Sequence, residues 1–301
     1  MYQSEFDERV EPAAERAAAG GGRFPTRGGR RTTGAPLSAT LERLVASGVG
    51  GVDLARQPGV PDRPGWVTAA ELASDRDLLD RLLGRVGRAH GTEDRAVTGT
   101  LFLRDYLWRI LAPVAGALLI ERRLPRLGPG DVALRFDEGG SAFGLAFVDA
   151  GFAALAADPD AGHPDASVLP SEGALLAWLR DQLADAHLPN LLKALRDLRI
   201  RRGMRALWGV SVDACADAFL YVGRDLGRED EARALAERLL AGPAPLSGPT
   251  NFFVLEHDGG SEPTRTRDVC SLYYKIGDRA CFTCPRITNE ERLRLLAGEE
   301  A

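Results

Sequence analysis

From Pro36 onward, apolar positions recur at three- and four-residue steps over most of the chain, the period of helices with one buried face. "PLSATLERLVASG" predicts a first helix capped by Ser38. "TAAELASDRDLLDRLLGRVG" predicts a second, with Thr68 and Glu71 at capping-box spacing. Leu107–Ile120 ("LWRILAPVAGALLI") is apolar on nearly every face, broken only by Arg109 and Pro113. It is shorter than the ~20 residues of a membrane span, so it predicts a buried helix with a proline kink. The period then changes. Val132–Phe136 and Phe143–Val148 are strand-like runs around Asp137-Glu138-Gly139-Gly140, a hairpin signal. Helical spacing resumes after Ser171, which caps "EGALLAWLRDQLADAH". "PNLLKALRDLRI", "SVDACADAFLYVGRDLG" and "EDEARALAERLLAG" follow, with Gly203 and Gly209 read as breaks between helices. Pro243–Pro263 reads as loop around the short apolar run "NFFVLE", and "NEERLRLLAG" as a last short helix.

This pattern predicts an α+β fold, mostly α: a helical body with a small antiparallel β element and a C-terminal cysteine hairpin. Residues 1–35, rich in Gly, Ala, Arg and Glu, are too poor in apolar side chains to offset their ordering entropy and read as a disordered tail. The body is expected over 36–262 and the cysteine module over 263–301.

Composition narrows the classes. The 301 residues are 45% hydrophobic and 27% charged, the balance of a globular protein with a core of its own. A net charge of -5 speaks against a nucleic-acid partner. No membrane span is expected. The N-terminus lacks an apolar signal core, and no apolar run follows Arg30-Arg31 as a twin-arginine signal would require. The expected location is cytoplasmic, where thiols stay reduced and clustered cysteines read as metal or redox ligands before disulfides.

Three of the four cysteines lie in "RDVCSLYYKIGDRACFTCPR", Arg267–Arg286. Cys281 and Cys284 form a C-x2-C, a spacing that lets two sulfurs approach one metal from a tight turn. Cys270 precedes them by eleven residues. The intervening "SLYYKIGDRA" reads as strand with a Gly277-Asp278 turn, so a hairpin is expected to return Cys270 to the pair, with Tyr273 and Tyr274 alternating across the strand. Three soft ligands suit zinc or an iron–sulfur cluster. A zinc ribbon would bring a second C-x2-C, and the chain has one.

"CSLYYKIGDRACFTCPR" resembles the C-terminal signature of FhuF-type ferric siderophore reductases: paired cysteines, about ten residues, then Cys-x-x-Cys-Pro, holding a 2Fe–2S cluster. "RDYLWRILAPVAGALLIERRLP" and "RGMRALWGVSVDACADAF" are similar to helical segments of the same family. The resemblance implies a 2Fe–2S cluster on Cys270, Cys281 and Cys284. It also implies one-electron reduction of a ferric siderophore, and an external electron donor such as a ferredoxin or flavoprotein. The doublet is broken here: aligning on "LYY" puts Ser271 at its second cysteine, and aligning on the ten-residue gap puts Val269 at its first. The fourth ligand is then Ser271, or Cys215 from "SVDACADAF", or the site holds another metal or none. The alternative function is a non-redox siderophore- or partner-binding protein with a structural zinc on the same cysteines. "AHLPN" (Ala186–Asn190) is similar to a histidine–asparagine motif of siderophore synthetases, in a chain too short for a full synthetase.

The remaining candidates each have a bland reading. Arg265, Arg267, Lys275, Arg279 and Arg286 either favour thiolates or form a solvated loop. Arg196, Arg199, Arg201, Arg202 and Arg205 suit an ordinary helix end. Cys215, Trp108, Trp178 and Trp208 read as core, and His187 as a helix-end residue among only four histidines. No dinucleotide fingerprint, Walker motif or nucleophile elbow occurs, which is why an electron would have to come from outside.

Overall fold

The computed structural model describes residues 35–298 apart from 52, 258, 278 and 279; the expected tail over 1–34, Asp278 of the expected turn and Arg279 lie outside the described residues. Helix α1 (Pro36–Ala46) starts on Pro36 at its first turn, with no side-chain cap. Ser38 therefore sits inside the helix, and the start is set by proline, whose missing N–H costs nothing there. Strands β1 (Asp53–Leu54) and β2 (Trp66–Thr68) lead to α2 (Ala69–Ser74) and α3 (Arg76–Ala89). The capping box of Thr68 and Glu71 forms as expected. The single helix expected here is two, because Asp75 takes an extended backbone and caps α3 through Leu78 N–H.

Helix α4 (Arg95–Glu121) is buried at nearly every position and contains Pro113. It is the centre of the core, hydrophobic all round because other elements cover all its faces. Strands β3 (Leu124–Pro125), β4 (Val132–Phe136), β5 (Ala142–Phe147), β6 (Phe152–Leu155) and β7 (Ala166–Leu169) follow. The expected β4–β5 hairpin is present and antiparallel, joined by β1 and β2 in the order β1-β5-β4-β2. Two pairs are parallel, β1 with β5 and β6 with β7, and neither has a local turn signal to announce it.

Helix α5 (Glu172–Asp181), capped by Ser171, runs through a π turn (Gln182–His187) into α6 (Leu188–Asp197). Helix α7 (Met204–Asp225) packs along α4, and α8 (Glu229–Leu240) packs on α7. By length and composition α7 could cross a membrane, but 83% of its apolar window is buried in the protein, so it is a core helix. Gly209 is no break: it lies within α7, where a Cβ would stand 2.3 Å from Val269 Cγ2, and its bare backbone seats the cysteine segment on the helix. The stretch read as loop around "NFFVLE" is an antiparallel hairpin, β8 (Phe252–His257) with β9 (Gly260–Arg265). Its return strand "GSEPTR" has too few apolar residues to signal a strand. Helix α9 (Asn289–Leu296), with a Thr288–Glu291 capping box, closes the described chain.

Candidate functional site

Among the described residues between Cys270 and Cys281 there is no strand and no ladder of the expected hairpin. Leu272 is left-handed (φ 64°), and Tyr273–Lys275 is a 3-10 turn. The backbone bonds are local: Lys275 N–H to Leu272 O (3.0 Å) and Gly277 N–H to Tyr273 O (3.0 Å). A backbone bonded to itself leaves no groups for a cross-strand ladder. Tyr273 packs against the core and Tyr274 is exposed beneath the Arg286 guanidinium, 4.1 Å from its ring centre. The segment still folds back, because Arg267 N–H donates to Thr283 O (3.0 Å) beside the C-x2-C turn.

That turn is closed by Cys284 N–H to Cys281 O (2.9 Å). Cys281 and Cys284 are buried, and so is Ser271, whose Oγ lies 3.9 Å from Cys281 Sγ. Cys270 is half-buried, and its Sγ accepts from Leu272 N–H (3.4 Å). Among the described residues no three His, Cys, Asp or Glu side chains are grouped closely enough to chelate an ion. The structure thus brings Cys281, Cys284 and Ser271 together, with Cys270 one step outside.

The surroundings are cationic and dry. A hydrogen bond from Cys284, then the charges of Arg267 and Arg104 and a bond from Ser271, hold the Cys281 thiol below its ordinary pKa. Cys284 is pushed above its own by the bond to Cys281 and by burial. Arg267 is fully buried: burial opposes its charge, and Asp217 and then Cys281 more than offset this, raising its pKa. One of its N–H groups reaches Asp217 Oδ2 (2.7 Å), while Nε and Nη1 have no hydrogen-bond partner among the described residues. A buried cation with unused donors is costly unless an anion completes its shell. Arg292 of α9 secures the turn from below, donating to Phe282 O (3.1 Å) and Cys284 O (2.6 Å).

Two carboxylates on α7 hold this segment in place. Asp213 accepts from Asp268 N–H (2.9 Å), Val269 N–H (2.9 Å) and Arg265; Asp217 accepts from Arg265 (2.8 Å) and Arg267. Arg265 and Arg267 are therefore not solvated, in contrast to exposed Lys275, which pairs with Asp94 (2.6 Å), and exposed Arg286. Sequence reasoning missed Asp213, Asp217 and Arg292. A signal was there for the first two: carboxylates four apart on an otherwise apolar helix must find buried partners. Cys215, between them in sequence, lies in the apolar core with its thiol pushed up to about 12 by burial.

His187 is not at a surface helix end. It is buried, with Nδ1 donating to Leu127 O (2.8 Å) and Nε2 accepting from the Tyr106 hydroxyl (2.7 Å). Desolvation holds it down at about 4, with the Leu127 bond acting against this. Trp108 is buried, and Trp178 and Trp208 pack on the core while partly exposed. Four of the five clustered arginines (Arg196, Arg199, Arg201, Arg202) line an open hollow with Gly203 and Met204.

No family model matches the chain, and no curated protein matches it. Among solved structures it is similar to aerobactin synthetase IucC from a hypervirulent pathotype of Klebsiella pneumoniae, at 14% identity and a TM-score of 0.39. The match covers 58% of this chain and 32% of that one, so the chain spans about a third of that synthetase's length.

Proposed function

We propose that the chain is an iron–sulfur protein that reduces ferric siderophores by one electron. The observation that carries this reading is the buried Arg267, with two unused N–H groups, within electrostatic reach of the Cys281–Cys284 pair. Such a setting suits a negatively charged thiolate-bound group. Cys281 and Cys284, with Ser271 at the broken doublet, would hold a 2Fe–2S cluster once Cys270 closes in from its place one step outside, and the cluster supplies electrons singly when bound. Asp217 keeps Arg267 charged and aligned, and Arg292 fixes the turn that carries the two sulfurs. Burial of the pair excludes water.

The substrate chemistry is simple. Siderophores hold hard Fe(III) through oxygen donors far more tightly than Fe(II), so one added electron turns Fe(III) into Fe(II) and loosens it from the chelate. The electron comes from an external ferredoxin or flavoprotein, and the reading puts the chain in the cytoplasm, where its thiols stay reduced. Anaerobic purification with iron, zinc and sulfide analysis tests it. About two irons and two sulfides per chain are expected. Stoichiometric zinc without acid-labile sulfide would overturn the reading in favour of a non-redox binding protein.

A further inference from the structure

Arg196, Arg199, Arg201 and Arg202 line a shallow, open hollow of about 560 Å³. None of the four forms a salt bridge among the described residues, and the adjacent Asp197 is taken by Lys193 at 2.5 Å. Arg199 and Arg201 both stand in the left-handed region (φ 57° and 51°). There an L-residue other than Asn or Gly is uncommon and strained. Between them Ile200 is fully buried and presses on α4 at Gly99, where a Cβ would stand 2.9 Å from Ile200 Cγ2. One apolar plug thus holds two arginines outward. Gly203 and Met204, at the start of the 22-residue α7, which has no side-chain cap, also line the hollow, so the helix's positive dipole end lies beside it.

The fourth arginine links the hollow to the cysteines. Arg202 donates to Cys270 O (3.0 Å), and its Nε is buried without a partner among the described residues. A molecule resting on Arg202 is separated from the Cys270 backbone by one side chain.

We propose that this hollow is the docking site for a small polyanionic metal chelate bearing carboxylate or catecholate oxygens. The metal it carries, ferric iron, rests on the function proposed above; the charge of the chelate rests on the four guanidiniums. Planar guanidiniums bind such oxygens in pairs, and a trianionic chelate gives the four the anionic partner that none of them has among the described residues. A neutral chelate of the same metal and size gains nothing from them.

The test is calorimetric titration with redox-inert gallium(III) tris-catecholate and, as its uncharged counterpart, a neutral gallium(III) trihydroxamate. The full chain is used, beside the double variant Arg199→Asn, Arg201→Asn; asparagine removes the charge and suits the left-handed backbone. The anionic probe is expected to bind preferentially, to weaken with added salt, and to lose about tenfold or more in affinity in the variant, whose melting profile stays that of the parent. Equal binding of both probes, or an unaltered variant, overturns the proposal. So does arginine-dependent binding of an acidic ferredoxin without binding of the chelate, which would make the hollow a protein-docking face. Gallium binding needs no electron. A chain without iron and sulfide that still binds the anionic probe through these arginines sinks the reductase reading and keeps the site. A chain with the cluster but no arginine-dependent binding does the reverse.

Discussion

Two arginine clusters meet at the cysteine segment, and the fold treats them in opposite ways. Arg265 and Arg267 are drawn into the protein and neutralised by Asp213 and Asp217. Arg196, Arg199 and Arg201 are exposed, with Arg202 half-buried beside Cys270, and none of the four forms a salt bridge among the described residues. In sequence both are arginines near helix or strand ends. The difference lies in what each is fastened by: carboxylates from α7 in one case, the apolar plug Ile200 in the other. A buried cation needs a partner and so becomes part of the framework, whereas an arginine held out by its neighbour's burial stays available for a ligand.

The comparison breaks most sharply at Asp217. Asp217→Ala leaves Arg265 and Arg267 buried with one carboxylate between them, and should cost about 3–5 kcal/mol in denaturant unfolding. A loss below about 1 kcal/mol would mean that the buried cluster is as dispensable as a surface pair.

His187 sharpens the same point from a buried base with no carboxylate. Arg267 stays charged because Asp217 faces it; His187, bonded to a carbonyl and a hydroxyl, stays neutral at a pKa of about 4 against its ordinary 6.5. Below 6.5 the unfolded chain takes up a proton that the folded chain refuses, so His187 makes stability fall as the pH drops from 6.5 towards 4, and contributes no further slope below that. The total is about 3 kcal/mol. Subtracting the pH profile of His187→Gln from that of the parent isolates this term; two parallel profiles would show that His187 is not the group responsible.

The smallest effect is expected at the exposed cluster. Arg201→Asn should leave stability within about 0.5 kcal/mol of the parent in thermal or denaturant melts, since it breaks no ion pair and relieves a left-handed arginine. A loss of about 2 kcal/mol or more would show that the exposed arginines are structural after all, and the contrast between the clusters would fail.

What the sequence determined by itself is local. The Thr68–Glu71 box, the Ser171 cap, the β4–β5 hairpin and the apolar run of α4 are each written within a few neighbouring residues, and each is present. The nearness of Cys281 to Cys284 is of the same kind, set by a turn that spans only those residues. The split at Asp75 and the 3-10 turn at Tyr273–Lys275 mark the limit of such signals: both are local, but each turns on the backbone conformation of one residue, Asp75 or Leu272, that composition does not announce. The partners that make the candidate site were decided by the tertiary structure. Asp213 and Asp217 meet Arg265, Arg267 and the backbone before Cys270 across about fifty residues of chain, only because α7 lies against that segment at Gly209. Ile200 faces inward, and its flanking arginines outward, only because α4 offers Gly99 as a seat. Arginines of equal charge and equal propensity cannot reveal which will be buried, because the deciding term is desolvation against a partner that the chain brings near only once it is folded.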